Sequence, residues 1–487
     1  MQIKPQGVLL SMLSVGMILA FISAVFPKNG IVEIGKVKLK FLPWHDVLHV
    51  KYSDKKDKDV EILIAKIDTS SIIKTEAFTG ANTDSIETPG TKAEKINFNV
   101  VQRLEFGEAG AGVLFSFFNK LRSNKGVRIL HYGDSQIEGD RMTGFLRQKL
   151  QSQFGGTGVG LIIPSAIYHT NAYHIALSDG WKRYTGFANI DPAVKHKKYG
   201  VMAAFSRFTE FAGDDSLIQH NPVKEAWIEI GASKAAYSNA QQFSHAKLFY
   251  GNCSDTVTLK IFSGTEEIYS SVMIPDKNYH TVDVAANSSL LKYVFKGKDS
   301  PDIYAFSLEG KEGVMIDNIA LRGASGTFFN SLDQNLQKQM FDDLQVEVFI
   351  LQFGGNTVPY LDDEKEVSDY GNWLESQMRR LKKLRPDADF IVIGPSDMST
   401  RSGDAFTTYP LLPKVVEAMK QAAFNSGAGF WDMYAAMGGE NSMPEWVEKK
   451  LAGEDYTHFS PAGSKYIIQM FYDALMYEYD QYITTPE

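Results

Sequence analysis

From Val127 onwards, short apolar runs alternate with helical repeats in two stretches of this chain. Val127-Arg128-Ile129-Leu130-His131-Tyr132 is closed by Gly133, and Met142, Phe145, Leu146, Leu150 and Phe154 follow at helical spacing. This predicts a strand feeding a helix. Strand-like runs return at 314–321, 346–353, 390–394 and 429–433, with helical patterns over 370–384 and 411–424 between them. Alternation of that kind predicts an α/β domain with a parallel sheet covered on both faces. Between 166 and 313 the pattern turns all-β. Runs at 226–230, 246–250, 257–262, 267–274, 280–284 and 303–308 are separated by turn residues, which predicts a β-sandwich inserted into the α/β domain. The expected α/β parts are 106–165 and 314–487.

The N-terminal pattern is different. Residues 7–26 carry no charge and lie between Lys4 and Lys28. About twenty apolar residues span a bilayer, and Ile22-Ser23-Ala24 is only a partial cleavage signal. Residues 1–27 are therefore expected to be an uncleaved membrane anchor, with a cleaved signal as the alternative. Either would export the remainder to the periplasm or cell envelope. Residues 28–105 read as a membrane-proximal segment. Alternating stretches at 31–42 and 61–68 precede a polar linker at 79–95.

Composition narrows the chemistry. Across 487 residues the net charge is −8, so no basic footprint for nucleic acid exists at whole-chain level. A single cysteine, Cys253, rules out an internal disulfide and a cysteine-built zinc site. No His-Glu-x-x-His occurs among the ten histidines.

Four strand-end segments hold candidate chemistry. Gly133-Asp134-Ser135-Gln136-Ile137-Glu138-Gly139 follows the first strand, where ligands bind in open α/β sheets. Ser135 reads as a nucleophile, or as half of a capping box with Glu138 that merely starts a helix. Asp455-Tyr456-Thr457-His458 precedes Ser460-Pro461, a helix start, so the histidine can reach a cleft and the aspartate can orient it. Gly355-Asn356 offers a side-chain amide to an oxyanion, or a plain turn. Arg322-Gly323-Ala324-Ser325-Gly326 offers a close backbone approach, or again a turn. In the region between, Trp181 and Trp227 are core residues or sugar-stacking platforms, and His131 and His174 are read as structural.

Taken together, Gly133-Asp134-Ser135, Gly323, Gly355-Asn356 and Asp455-x-x-His458 resemble the four blocks of the SGNH (GDSL-type) hydrolases. The resemblance implies a flavodoxin-like five-stranded sheet, a Ser135–His458–Asp455 triad, and an oxyanion hole from Ser135, Gly323 and Asn356. It implies no cofactor. Two departures are visible: Thr357 follows Asn356, and Gly326 rivals Gly323. An all-β insert between the Ser and Gly blocks, and the stretch 430–439, resemble bacterial peptidoglycan O-acetylesterases with a carbohydrate-binding-like module. That implies an acetylated envelope glycan as substrate. The rival implications are an O-acetyltransferase working beside a membrane acyl-transfer partner, and a glycan-binding protein without activity.

Overall fold

A computed structural model of the protein describes residues 31–34, 37–40, 102–123, 125–211, 215–286, 288–403 and 405–484. The chain divides into two compact units, Met1–Ala81 and Asn82–Glu487. In the first, Ile31–Ile34 and Val37–Lys40 form an antiparallel pair. The apolar run 7–26, the stretch 61–68 and the polar linker lie outside the described residues. No helix among the described residues is long and apolar enough to cross a membrane.

The second unit contains five strands that pair in parallel: β1 (Val127–Gly133), β2 (Val314–Ala320), β3 (Val346–Gln352), β4 (Asp389–Ile393) and β5 (Gly429–Trp431), in the order β2-β1-β3-β4-β5. The pair Leu104–Glu105 adds an antiparallel edge beside β5, and two residues are too few to show a periodicity. Four helices matter for the site: α1 (Thr143–Phe154), α2 (Glu364–Leu384), α3 (Leu412–Asn425) and α4 (Pro461–Thr484). Strand side chains alternate between faces. Leu130 and Tyr132 of β1 join Phe349, Leu374 and Met378 in one buried cluster with α2 and α3. On the other face His131 meets Thr143 of α1, and Trp431 packs on Phe471 of α4. Because both faces are covered, β1 is buried along its whole length, as its apolar run requires. Helix α2 begins six residues before the apolar pattern does. Asp363 caps it by accepting from the Glu366 N–H at 2.9 Å, and the first turn is charged.

Between β1 and β2 the chain forms two antiparallel sheets. One runs through Asp276–Ala285, His245–Cys253, Asp302–Glu309, Ala204–Arg207 and Lys182–Thr185. The other runs through Glu266–Met273, Val257–Ser263, Leu290–Gly297, Lys224–Ala232 and Tyr173–Leu177. Side chains from both, including Leu248, Phe306, Ile228 and Leu259, share one buried cluster. Gly160–Ile162, ahead of the expected start at 166, also pairs with Asp302–Glu309. Three residues in a glycine-rich stretch carry too little pattern to be read as a strand.

A buried ion network joins these sheets to the parallel one. Arg128 of β1 donates to both oxygens of Asp317 on β2, at 2.7 and 2.9 Å, to Glu309 at 2.6 Å and to Ser307 at 3.1 Å. Burial opposes the Arg128 charge, but Asp317 and Glu309 outweigh it and hold the pKa above its ordinary value. Removing one partner of such a network strands the others. Arg128→Ala is expected to destabilise the fold by about 3–5 kcal/mol, read by urea denaturation. A loss below about 1 kcal/mol would show that the network is dispensable.

Candidate active site

β1 ends at Gly133, and the sheet order reverses beside it, between β2 and β3. Any Cβ at Gly133 would lie 2.9 Å from the Ile137 side chain, so the chain turns immediately. The turn is not the start of α1. Ser135–Asp140 is a short 3₁₀ segment broken at Glu138, and α1 starts only at Thr143. The sequence places the serine segment at the start of the first helix, and it stands instead on this separate short turn ahead of α1. Gly139 and Asp140 both have positive φ, and that double reversal separates the turn from the helix. The capping box with Glu138 is not formed. Asp134 is the cap, accepting from the Gln136 N–H at 2.9 Å, and Ser135 Oγ contacts His458 instead.

Ser135 Oγ lies 2.8 Å from His458 Nε2, and His458 Nδ1 lies 2.8 Å from Asp455 Oδ2. The second carboxylate oxygen of Asp455 accepts from the backbone N–H groups of Thr457, at 3.1 Å, and His458, at 3.0 Å. Partial burial works against the Asp455 charge. The His458 backbone and imidazole and the Thr457 N–H outweigh it and keep the carboxyl below its ordinary range. The loop is tight: Gly453 N–H donates to the His458 carbonyl, and Tyr456 takes positive φ. Ser135, His458 and Asn356 line one cavity of about 200 Å³ with Tyr360, Met398 and Tyr409.

The oxyanion candidates are placed less simply. Asn356 lines the cavity, but its amide donates to Asp134 Oδ2 and to the Ala324 carbonyl, both at 3.1 Å. Both amide hydrogens are thus engaged, and service to an oxyanion needs one of them shared or exchanged. Burial pushes the Asp134 pKa up to about 6, against the Gln136 N–H bond and the His458 charge. Gly323 has positive φ, and a Cβ there would meet open space. At Gly326 a Cβ would lie 2.7 Å from the Phe353 ring, so packing explains that glycine. Neither lines the cavity around Ser135. Gly354 has positive φ, and its carbonyl accepts from Thr357 N–H, so the turn reading of Gly-Gly-Asn also applies.

Several residues at the site carry no signal in the sequence. Gln136 donates to the Thr457 carbonyl at 2.7 Å and clamps the histidine loop to the serine turn. A hairpin, Ser399–Ser402 with Ala405–Thr408, stacks Phe406 on Tyr456 with ring centroids 3.7 Å apart. Beneath the turn, His131 lies between Gln352 and Thr143, each at 3.0 Å, and burial lowers its pKa to about 4. That is the structural histidine expected, whereas His174 is exposed. Trp181 packs edge-on against Phe208 and Phe295 in the core between the antiparallel sheets. Trp227 is covered by Lys292, 4.3 Å above its ring.

No protein-family model matches the sequence, and no curated protein matches it. Among solved structures, a peptidoglycan O-acetylesterase matches with a TM-score of 0.59 at 20% identity, over 75% of this chain and 96% of that one. An acetyl xylan esterase (TM-score 0.25, 11% identity, 33% of this chain and 81% of that one) and a GDSL-like lipase from Parabacteroides merdae (0.25, 13%, 33% and 72%) are far more distant. At 20% identity the first likeness is one of architecture, and the chain has the fold of a peptidoglycan O-acetylesterase.

Proposed function

We propose that this chain is an SGNH-type serine esterase that removes O-acetyl groups from a cell-envelope glycan. The observation that carries the reading is the line from Asp455 through His458 to Ser135 Oγ, two contacts of 2.8 Å opening on a cavity. The β2-β1-β3-β4-β5 order is that of a flavodoxin-like sheet. The two antiparallel sheets that interrupt it are read as an inserted sandwich module. The likeness to a peptidoglycan O-acetylesterase over three quarters of the chain supports both.

In this reading Ser135 Oγ attacks the acetyl carbonyl while its proton passes to His458 Nε2. The tetrahedral oxyanion is met by the Ser135 N–H and by an Asn356 hydrogen released from Asp134 or Ala324, and the Gly323 N–H joins them only if its loop moves towards the cavity that it does not line here. Collapse breaks the ester C–O bond, and the imidazolium returns the proton to the departing sugar hydroxyl. Water then repeats the sequence on the acetyl-serine and yields acetate. The residues 7–26 are proposed to anchor the enzyme on the exported side of a membrane, where an acyl-transfer partner would also be at hand.

The test is acetate release from O-acetylated peptidoglycan compared with acetylated xylan. Release from peptidoglycan is expected, dependent on Ser135. Acetyl groups appearing on added bare glycan instead of in solution would make the chain a transferase. The absence of both would remove the catalytic reading.

A further inference from the structure

Three residues after Ser135 stands Glu138, and two guanidinium groups converge on it. Arg322 Nε and Nη2 each donate to one of its carboxylate oxygens at 2.7 Å. Arg141 Nε donates to its backbone carbonyl at 2.8 Å. The Glu138 side chain is only 6% exposed, whereas that of Arg322 is 52% exposed. A buried carboxylate thus fixes an open guanidinium, and Nη1 of Arg322 takes no part in the pair. Among the described residues no carboxylate forms an ion pair with Arg141. Arg183, whose Nε is buried without a partner, also acts electrostatically on Glu138. At this corner Arg322 and Arg141 thus converge by direct hydrogen bonds on one buried glutamate, and Arg322 keeps an exposed edge.

The corner borders the reacting groups. Burial lowers the Arg141 pKa, and the charges that act on it are Glu138, Arg322 and Asp455 of the triad. On the far side of the turn, Thr170 Oγ1 donates to the Gly139 carbonyl at 3.2 Å. Thr170 lines a cavity of about 570 Å³ with Tyr168, Tyr173, His174 and Lys234, and that lining contains no carboxylate. A pre-set guanidinium with unused N–H groups recognises planar anions in a forked geometry. We propose that Arg141 and Arg322 form a carboxylate-binding subsite beside Ser135, so that the acetylated glycan is an acidic one. This rests on the esterase reading for its ligand and goes beyond it by naming the charge that the substrate carries. The carboxylate belongs either to the sugar itself or to a group appended to it.

Binding measured on Ser135→Ala tests this without turnover. The probes are an O-acetylated oligogalacturonate and its methyl ester, and peptidoglycan fragments with free or amidated carboxyls. The acidic member of at least one pair is expected to bind roughly ten-fold or more tightly, as a charge-assisted contact provides. The difference should shrink with salt and disappear in Ser135→Ala/Arg141→Gln. The first pair responding identifies a uronate, and the second identifies an appended carboxylate. Arg322→Gln alone leaves Glu138 buried and unpaired, so Glu138→Gln with Arg322→Gln serves as the second variant. Equal binding within both pairs, or a preference that survives both variants, overturns the proposal. Discrimination without Ser135-dependent hydrolysis in the parent would sink the esterase reading alone. Hydrolysis without discrimination would sink the subsite alone.

Discussion

Ser135→Ala is expected to reduce turnover of an aryl acetate by a factor on the order of 10⁴ to 10⁶ while leaving the fold intact. Ser135 Oγ has one contact with His458, and no other hydrogen bond to it is seen among the described residues. Its removal therefore strands no buried partner. The Gln136 clamp on Thr457 remains, and so does the Asp134 cap. Thermal unfolding should match the parent within a few degrees, since a loss of about 1 kcal/mol already moves Tm by several degrees in a small domain. Turnover near the parental rate would dismiss Ser135 as the nucleophile.

Asp455→Asn should lower kcat by about 10⁴, through the tautomer of His458. Oδ1 of Asp455 accepts two backbone N–H groups, from Thr457 and His458. An amide NH₂ cannot sit opposite two donors, so the asparagine oxygen must take that place. Its NH₂ then faces His458 Nδ1, which becomes an acceptor. The ring proton moves to Nε2 and points at Ser135 Oγ, where a proton acceptor is required. The loss should fall on kcat with KM little changed, because Asp455 does not line the cavity. The histidine ring ¹⁵N shifts provide a second readout of the tautomer. A variant that keeps a tenth of the parental kcat would mean that Asp455 only shapes the loop.

Much of the parallel sheet is written locally. The run from Val127 to Gly133 places apolar side chains on both faces, Ile129 on one and Leu130 and Tyr132 on the other, so burial on both sides is implied before any neighbour is known, whereas the partners that Arg128 and His131 need are not. The serine and histidine segments are equally local, because each sits where an apolar run or a helix start fixes its place in the chain. The edge pair Leu104–Glu105 and the strand Gly160–Ile162 are different. Segments of two or three residues take their conformation from the strand they lie beside, and no periodicity survives at that length.

The sequence by itself determined the alternation of strands and helices, the all-β interruption, and the order in which serine, glycine and asparagine arrive at strand ends and aspartate and histidine at the start of the last helix. Apolar spacing and turn residues are local properties, and they fix local structure. Only the tertiary structure decided that Ser135 stands on a short broken turn and not on α1, because Gly139 and Asp140 reverse the chain there. It alone engaged the Asn356 amide with Asp134 and Ala324, hung the histidine loop on Gln136, and brought Arg141 and Arg322 together on Glu138. Most of these contacts join residues far apart in the chain. They depend on how strands pair and loops pack, which no single segment of the sequence records.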